Sequence, residues 1–301
     1  MATQKQILDF YSQPGVITYA GRHSYLFDQL PSDIGALVRI VQCLTLHEFV
    51  ASTLYGVTVS DERKNESHIR EAERMLDRLL ELDDQSLSIA RWPERRLFGV
   101  CRHFVVLLLT ILRAKHIPAR CRCGFASYFN PGFFEDHVVC EYWNAAEQRW
   151  VQVDPQLDEV WRNKLKIEHN FLDVPRDRFL VAADAWERCR RDGADPARFG
   201  TVNGNLRGLW FVAANLVHEV AALNKVEMLR WDVWGGMPHP ETTLRTGELV
   251  FFDHLAAFTR EPDASFEELR RLYKDDNRLR VPPKVFNALR NRQESAHIQA
   301  A

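Results

Sequence analysis

The chain has 301 residues, of which 46% are hydrophobic and 27% are charged, and its formal net charge at pH 7 is −2. This length and composition are those of a globular protein that can bury a substantial core, as one elaborated domain or as two small ones. The mildly negative charge excludes a general electrostatic attraction to nucleic acid or to an anionic membrane surface.

The expected location follows from the distribution of apolar residues. The N-terminus lacks the apolar core of a secretory signal, and the longest apolar run, at residues 104–109, is too short to span a bilayer. We therefore expect a cytoplasmic protein with no membrane and no nucleic-acid partner, in which the six cysteines are reduced. The cysteines and histidines do not follow zinc-site spacing, so we expect neither a metal nor a cofactor.

The N-terminal segment, residues 1–90, is predicted to be helical and to pack on the core. Apolar residues recur at helical spacing at 33–54, with Ser32 or Asp33 as the N-cap, and again at 67–82.

The middle segment, residues 91–175, predicts a central helix followed by strands. Residues 101–115 form the most apolar helical run, and Gly99 just before it allows a tight turn. A strand is predicted at 119–126, a loop rich in Gly, Pro and Phe at 128–135, and two alternating strands at 137–143 and 148–154.

The C-terminal segment, residues 176–301, returns to helical patterns and ends in a polar tail that we expect to fray from Asn291. The three segments are expected to pack as one compact unit. Within the last one, residues 231–239 are rich in Trp and Gly, which fits either a substrate-facing loop or a packed aromatic anchor. The helices of this segment are predicted at 177–189, 206–223, 247–259, 265–273 and 283–289.

Cys101 is the candidate nucleophile because it opens the central helix. The free N–H groups and the positive dipole end of a helix N-terminus favour thiolate over thiol. The same N–H groups can receive the oxyanion that forms when a thiolate attacks a carbonyl. The other cysteines are expected to be structural.

His137 and Asp154 are the candidate partners of Cys101. If the connection between their strands turns between Ala145 and Ala146, the two residues lie directly opposite each other, about 5 Å apart at Cβ. A carboxylate in that position would fix the tautomer of the imidazole.

Each of the three residues also has a plainer interpretation. A single cysteine is more often a small buried hydrophobe. His137 could cap a loop at a strand end, and Asp154 before Pro155 could simply begin a turn. The combination of a helix N-terminus with the hairpin register favours the catalytic interpretation.

Residues 97–156 resemble the transglutaminase-like superfamily, a branch of the papain-like folds that includes transglutaminases, peptide:N-glycanases and many bacterial cysteine amidases. The resemblance rests on Gly99-Val-Cys101, on residues 112–124, on His137 with Glu141 four residues later, and on residues 150–155. It implies an α+β papain/transglutaminase-like core, a central helix on an antiparallel sheet. The flanking helical segments are similar to those of a bacterial group that shares this core.

The same resemblance implies Cys101 as nucleophile, His137 as general base and acid, and Asp154 as the orienting carboxylate. No acidic loop matches the calcium sites of animal transglutaminases. His103 lies within the same helical turn as Cys101. We expect its side chain to face solvent; the alternative is that it tunes the reactivity of the Cys101 thiol.

Further site residues are assigned less directly. Gln42 and Trp92 are candidates for the second oxyanion donor, beside the backbone N–H of Cys101. Phe133 and Phe134, which precede His137, and Trp143 are candidates for the wall of the substrate site.

The predicted function is acyl transfer through a Cys101 thioester on an amide-containing peptide, protein or small-molecule substrate, by hydrolysis or transamidation. A non-catalytic binding or scaffold protein on the same fold, and an amide-forming enzyme of small-molecule biosynthesis, are the alternatives. The sequence does not specify the substrate, the acyl acceptor or the oligomeric state.

Overall fold

The computed structural model describes residues 2–202 and 205–296, over which helices and strands are mixed, as the predicted α+β class requires. None of the helices in these ranges combines the length and hydropathy needed to cross a membrane. The α-helices are Gln4–Tyr11 (α1), Ile34–Leu44 (α2), Ala51–Tyr55 (α3), Ala72–Leu82 (α4), Cys101–Ala114 (α5), Glu159–Leu165 (α6), Ala182–Arg190 (α7), Leu209–Leu223 (α8), Thr246–Arg260 (α9) and Phe266–Asp275 (α10).

The strands include the long hairpin in the middle of the chain and several short pairs. They are Thr45–His47 (β1), Leu97–Gly99 (β2), Ala119–Asn130 (β3), Phe133–Asn144 (β4), Arg149–Val153 (β5), Phe179–Val181 (β6), Phe199–Thr201 (β7), Leu206–Arg207 (β8), Asp232–Val233 (β9), Lys284–Asn287 (β10) and Arg292–Ser295 (β11).

The chain separates into two compact units that do not follow the order of the sequence. We call Met1–Ile7, Cys121–Val138 and Pro175–Ala301 the first unit, and Leu8–Arg120 with Val139–Val174 the second unit. The division into segments 1–90, 91–175 and 176–301 stays a prediction.

In the second unit, the central helix α5 is buried on all sides from Cys101 to Arg113. It packs against α2 and α4 and against the parallel pair of β1 and β2. The helix ends where His116 takes a positive φ of 57°, two residues before Pro118, which has no N–H to continue the ladder.

The second unit also contains the β4–β5 hairpin and a buried ion pair. Cys140 pairs with Val153 and Asn144 with Arg149. Arg120 Nε donates to Glu141 Oε2 at 2.8 Å, and the Arg120 guanidinium lies over the Trp150 ring at 4.0 Å. The charge is therefore both paired and covered, which a buried guanidinium requires.

In the first unit, a sheet with the order β6-β3-β4-β7-β8 lies with helices α7, α8 and α9, which pack against one another. Strand β7 runs parallel to β4, whereas β6 is antiparallel to β3. Helix α8 is linked to β3 by Glu219, which accepts hydrogen bonds from Arg122 Nε at 2.6 Å and from the Cys123 N–H.

Several of the predicted elements differ from the structure. The predicted helix 33–54 ends at Leu44, because residues 45–47 pair with β2. The predicted helix 283–289 is strand β10, which pairs with β9 and with β11, so residues 292–295 of the expected frayed tail are also ordered. The rest of that tail, residues 297–301, lies outside the described residues.

The predicted loop 128–135 is wrong as well, because most of it belongs to β3 and β4. The chain reverses at Pro131-Gly132 alone, where Gly132 has a φ of 75°. A glycine adopts that conformation without the strain that a Cβ would cause.

We predict that Gly124→Ala destabilises the first unit, because a Cβ at Gly124 would lie 2.0 Å from the backbone oxygen of Leu180 on the neighbouring strand. The expected loss in the free energy of unfolding is about 2–3 kcal/mol, measured by chemical denaturation. Gly247→Ala is the matched control, because a Cβ there meets no atom within 4 Å and the residue is helical. The control should be neutral or stabilising by about 0.4–1 kcal/mol; equal losses in both variants would contradict the packing argument.

Candidate active site

Cys101 is the first residue of α5, which confirms the predicted helix start. Its side chain is buried. Val100 is the N-cap and has an extended conformation. The first N–H groups of the helix therefore lie at its N-terminal end, where Cys101 is located. The local structure therefore places the backbone donors of a helix N-terminus where they can receive a developing oxyanion.

His103 holds the turn that carries Cys101. Its Nδ1 accepts the N–H of Val100 at 3.1 Å, and the side chain is fully buried, so the predicted solvent-facing position is wrong. Burial, and then the charge of Arg102, lower the pKa of His103 well below its ordinary value, which keeps Nδ1 an acceptor. Gly99 is needed beside it, because a Cβ there would lie 2.6 Å from His103 Cβ.

Asp154 follows the last residue of β5 and is fully buried. Its N–H donates to the Phe171 backbone oxygen at 2.9 Å, and its Oδ1 accepts the N–H of Gln156 at 3.0 Å. The turn proposed by the plainer interpretation is therefore present.

The predicted register of the β4–β5 hairpin is wrong by two residues. His137 directly opposite Asp154 would require Cys140 to pair with Val151, but Cys140 pairs with Val153. The cause is local, because Asn144 Oδ1 accepts the N–H groups of residues 146 and 147 and Gln148 takes a φ of 52°, which centres the connection one residue later. A slip of two residues in pairing leaves every side chain on its predicted face.

His137 lies on β4 among aromatic rings and is buried. Its ring centroid is 4.9 Å from that of Phe129, 6.1 Å from that of Tyr128 and 6.2 Å from that of Phe179, all in edge-to-face arrangements. Cys101 and Asp154 belong to the second unit and His137 to the first.

Two carboxylates next to His137 on β4 were missed by the sequence reasoning. Asp136 forms a bidentate pair with Arg230, at 2.6 and 3.1 Å, and accepts Asn215 Nδ2 at 2.6 Å. Glu135 accepts Asn130 Nδ2 at 2.9 Å and the Val202 N–H at 3.1 Å. Except for Asn130, their partners are distant in sequence, so only the two acidic residues before the histidine could have drawn attention to them.

The two candidates for the second oxyanion donor differ in burial. Gln42, on α2, is 8% exposed, and its Nε2 has no hydrogen-bond partner among the described residues. Trp92 is 79% exposed, in front of a short 3₁₀ helix. A buried amide donor without an acceptor is uncommon and is a property expected of a group kept for a ligand.

The candidate wall residues are partly buried. Phe134 stacks on Phe199, its register partner, with ring centroids 4.6 Å apart, so one face of its ring is covered by protein. Trp143 packs edge-to-face on its register partner Trp150 at 5.6 Å. Phe133 precedes His137 by an even number of positions and therefore shares its side of β4, whereas Phe134 does not.

The tryptophan-rich segment 231–239 contains a packed anchor. Trp234 is buried, its Nε1 donates to the Leu279 oxygen at 3.0 Å, and its ring is 4.8 Å from that of His218. Gly235, with a φ of 55°, lies against the Arg278 backbone, where a side chain would clash. These contacts fit the anchor rather than the substrate-facing loop.

The cysteines are all free thiols. A hydrogen bond with Cys123, together with burial, raises the pKa of Cys121 well above its ordinary value. Burial and the charge of Asp195 raise the pKa of Cys189 to about 12. Both thiols are therefore poor nucleophiles at neutral pH. Within residues 2–202 and 205–296, no cluster of His, Cys, Asp and Glu side chains has the arrangement of a metal site.

The middle of the chain matches a known protein family. Residues 65–155 match the model of the transglutaminase-like superfamily. The matched segment contains Cys101, His137 and Asp154, and the superfamily is broadly one of papain-like cysteine enzymes. No curated protein and no solved structure matches the chain.

We predict that Glu135→Gln improves stability more at pH 8 than at pH 5. Burial raises the pKa of Glu135 to about 7 from an ordinary value of 4.5. The contribution of this carboxyl to stability is therefore complete below about pH 4.5 and is lost as the pH rises through about 7, whereas a glutamine does not titrate. The difference in Tm between variant and wild type should grow in favour of the variant over this window.

Glu268→Gln is the control for that measurement. A hydrogen bond from Arg271 lowers the pKa of Glu268, so its stabilising effect is present at pH 5 and above. The Tm difference of this variant should not shift in its favour between pH 5 and 8. A flat difference for Glu135→Gln would show that its carboxyl titrates normally.

Proposed function

We propose that the protein is a cysteine-dependent acyl-transfer enzyme that acts on an amide or related carbonyl. The observation that carries the proposal is the position of Cys101 at the start of a buried helix, within the transglutaminase-like domain. His137 is proposed as general base and acid, and Asp154 as the carboxylate that orients it. The family match and the motifs around the three residues support these roles.

The proposed reaction has two steps. The Cys101 thiolate forms a bond to the carbonyl carbon, and the C–N bond breaks as His137 gives its proton to the leaving amine. Water or a second amine then attacks the thioester, loses its proton to His137, and releases a carboxylic acid or a new amide with the thiol restored. Hydrolysis and transamidation use the same residues, and the substrate is an amide-containing peptide, protein or small molecule.

The oxyanion of both tetrahedral intermediates needs two donors. The backbone N–H of Cys101 is one, because it lies at a helix N-terminus. We assign the second to Gln42 rather than to Trp92, since the Gln42 amide is buried without an acceptor among the described residues and the Trp92 side chain is exposed.

We predict that limiting iodoacetamide at neutral pH modifies Cys101 before the other cysteines. Cys101 lies at a helix N-terminus within the proposed site, whereas the raised pKa values of Cys121 and Cys189 disfavour their thiolates. Mass spectrometry of the digested protein would identify the labelled peptide. Equal labelling of several cysteines, or protection of Cys101, would argue against its role as nucleophile.

We predict that Cys101→Ala and Asp154→Asn keep the fold and lose acyl transfer. An asparagine in place of Asp154 would retain the oxygen that accepts the Gln156 N–H, so the turn survives, but it would not hold the imidazole in the required tautomer. Turnover of an activated acyl ester should fall by about 10³–10⁴-fold in Asp154→Asn, and Cys101→Ala should form no adduct. Thermal melting should stay close to that of the wild type.

Asp195→Asn is the matched control, because Asp195 Oδ1 accepts the N–H of Ala197 in the same local geometry. It should turn over the ester at the wild-type rate. An added amine that increases release of the acyl group as an amide would indicate a transamidase. A wild type that forms no adduct with amide or ester probes, yet binds a partner as well as Cys101→Ala does, would identify a scaffold.

A further inference from the structure

A buried carboxylate lies next to the strand that leads to Cys101. Glu66 belongs to the 3₁₀ helix Arg63–His68 in the second unit, and its side chain is 4% exposed. It accepts four hydrogen bonds, from Arg63 Nε at 2.8 Å, Arg63 Nη2 at 3.0 Å, Arg78 Nε at 3.0 Å and the backbone N–H of Phe98 at 2.8 Å. A carboxylate that accepts two guanidinium groups and a backbone N–H has its charge fully compensated.

The Phe98 bond fixes strand β2 in its middle. Phe98 is flanked by Leu97 and Gly99, which with it form β2, and Cys101 begins α5 two residues later. On the other edge of β2, Phe98 pairs with Leu46 of β1. The strand is therefore held by a parallel neighbour on one edge and by the Glu66 carboxylate at Phe98.

Arg63 extends this support upstream. Its Nη1 donates to the Glu94 oxygen and its Nη2 to the Arg96 oxygen, each at 2.6 Å, while its guanidinium lies 3.9 Å from the centroid of the Phe98 ring. Glu66 holds Arg63 in the orientation that makes these bonds. The backbone from residue 94 to residue 98 is thus held by one ion pair, in which the carboxylate is buried and the guanidinium half-buried.

A second set of hydrogen bonds fixes the backbone at the start of helix α5. Val100, between β2 and Cys101, donates its N–H to His103, and Arg102 donates to the Ile69 oxygen at 3.1 Å and to the Arg70 oxygen. Ile69 and Arg70 directly follow the 3₁₀ helix that carries Glu66. The segment 63–70 therefore contacts the backbone before Cys101 and the side chain after it.

We infer that Glu66 is a positioning residue for Cys101: together with Arg63 it sets the path of β2, and with it the place of the Cys101 thiol and N–H at the start of α5. The inference rests on the proposed role of Cys101 as nucleophile. Glu66 acts through β2 and is not itself a catalytic residue. A displacement of about 1 Å at a reacting group can cost about 100-fold in rate, so such support matters for catalysis beyond its effect on stability.

The test is Glu66→Gln. A glutamine has the same shape, but its single oxygen cannot serve both arginines and the Phe98 N–H, and its amide donors face guanidinium groups. We expect the rate of Cys101 alkylation by iodoacetamide at pH 7 to fall about tenfold or more and the midpoint of its pH profile to rise. With an activated acyl ester, kcat should fall while KM changes little.

Glu219→Gln is the matched control. Glu219 is also a buried carboxylate that accepts an arginine, Arg122, and a strand N–H, that of Cys123. This variant should lose thermal stability but keep the Cys101 alkylation rate within about twofold. Arg78→Gln is a second control, because it removes one partner of Glu66 and leaves the bonds to Phe98 and Arg63 in place.

The outcomes separate the inference from the proposed function. Wild-type alkylation kinetics in Glu66→Gln, or an equal loss in Glu219→Gln, would overturn the positioning role. If Glu66→Gln does not fold, Arg63→Lys decides, since it keeps the charge but loses the bonds to the Glu94 and Arg96 oxygens, and a wild-type alkylation profile there would also overturn it. A wild type that alkylates at Cys101 but never forms an acyl adduct would refute the proposed function alone.

Discussion

The buried start of helix α5 requires hydrogen-bond acceptors for the backbone N–H groups of the helix start and of the strand that precedes it. A helix that is covered on all sides cannot leave these donors to water, and an orphaned one costs about 1–3 kcal/mol. The Val100 N–H is accepted by His103, the His103 N–H by the Val100 oxygen and the Phe98 N–H by Glu66. The N–H of Cys101 is the donor that our proposal assigns to a substrate oxygen.

Arginine pairs with a buried carboxylate recur in both units of the chain. Arg63 with Glu66 and Arg120 with Glu141 lie in the second unit, and Arg122 with Glu219 lies in the first. A buried pair adds little net stability compared with apolar residues of similar volume, whereas loss of one partner is strongly destabilising. The main effect of these pairs is therefore on specificity: the backbone segments that they contact cannot adopt other arrangements without leaving a buried charge unpaired.

Sequence reasoning succeeded where local rules dominate. The start of α5 was predictable because a glycine precedes a long apolar run, and the β4–β5 hairpin because two alternating strands flank a short polar connection. The register of this hairpin could not be predicted, because the Asn144 side chain and the positive φ of Gln148 determine where the turn is centred. Tertiary pairing overrode helical periodicity at residues 45–47 and 284–287.

At the candidate site, residue types and order could be read from the sequence, but their supporting contacts could not. The expected solvent-facing position of His103 was wrong because its hydrogen-bond partner is the backbone N–H of Val100, the N-cap of its own helix. A valine at the N-cap does not indicate such a bond in the sequence. Glu66 precedes Phe98 by 32 residues and Asp136 precedes Arg230 by 94, so no spacing rule connects them. The roles of Cys101, His137 and Asp154 remain proposals.

The pairs in the first unit have a consequence for how the protein is made. Arg122 is synthesised 97 residues before Glu219, and Asp136 is synthesised 94 residues before Arg230. Strands β3 and β4 therefore leave the ribosome well before the carboxylate and the guanidinium that neutralise their inward charges. A recombinant fragment limited to residues 65–155, the span of the family match, would expose both charges permanently and would be a poor candidate for independent expression.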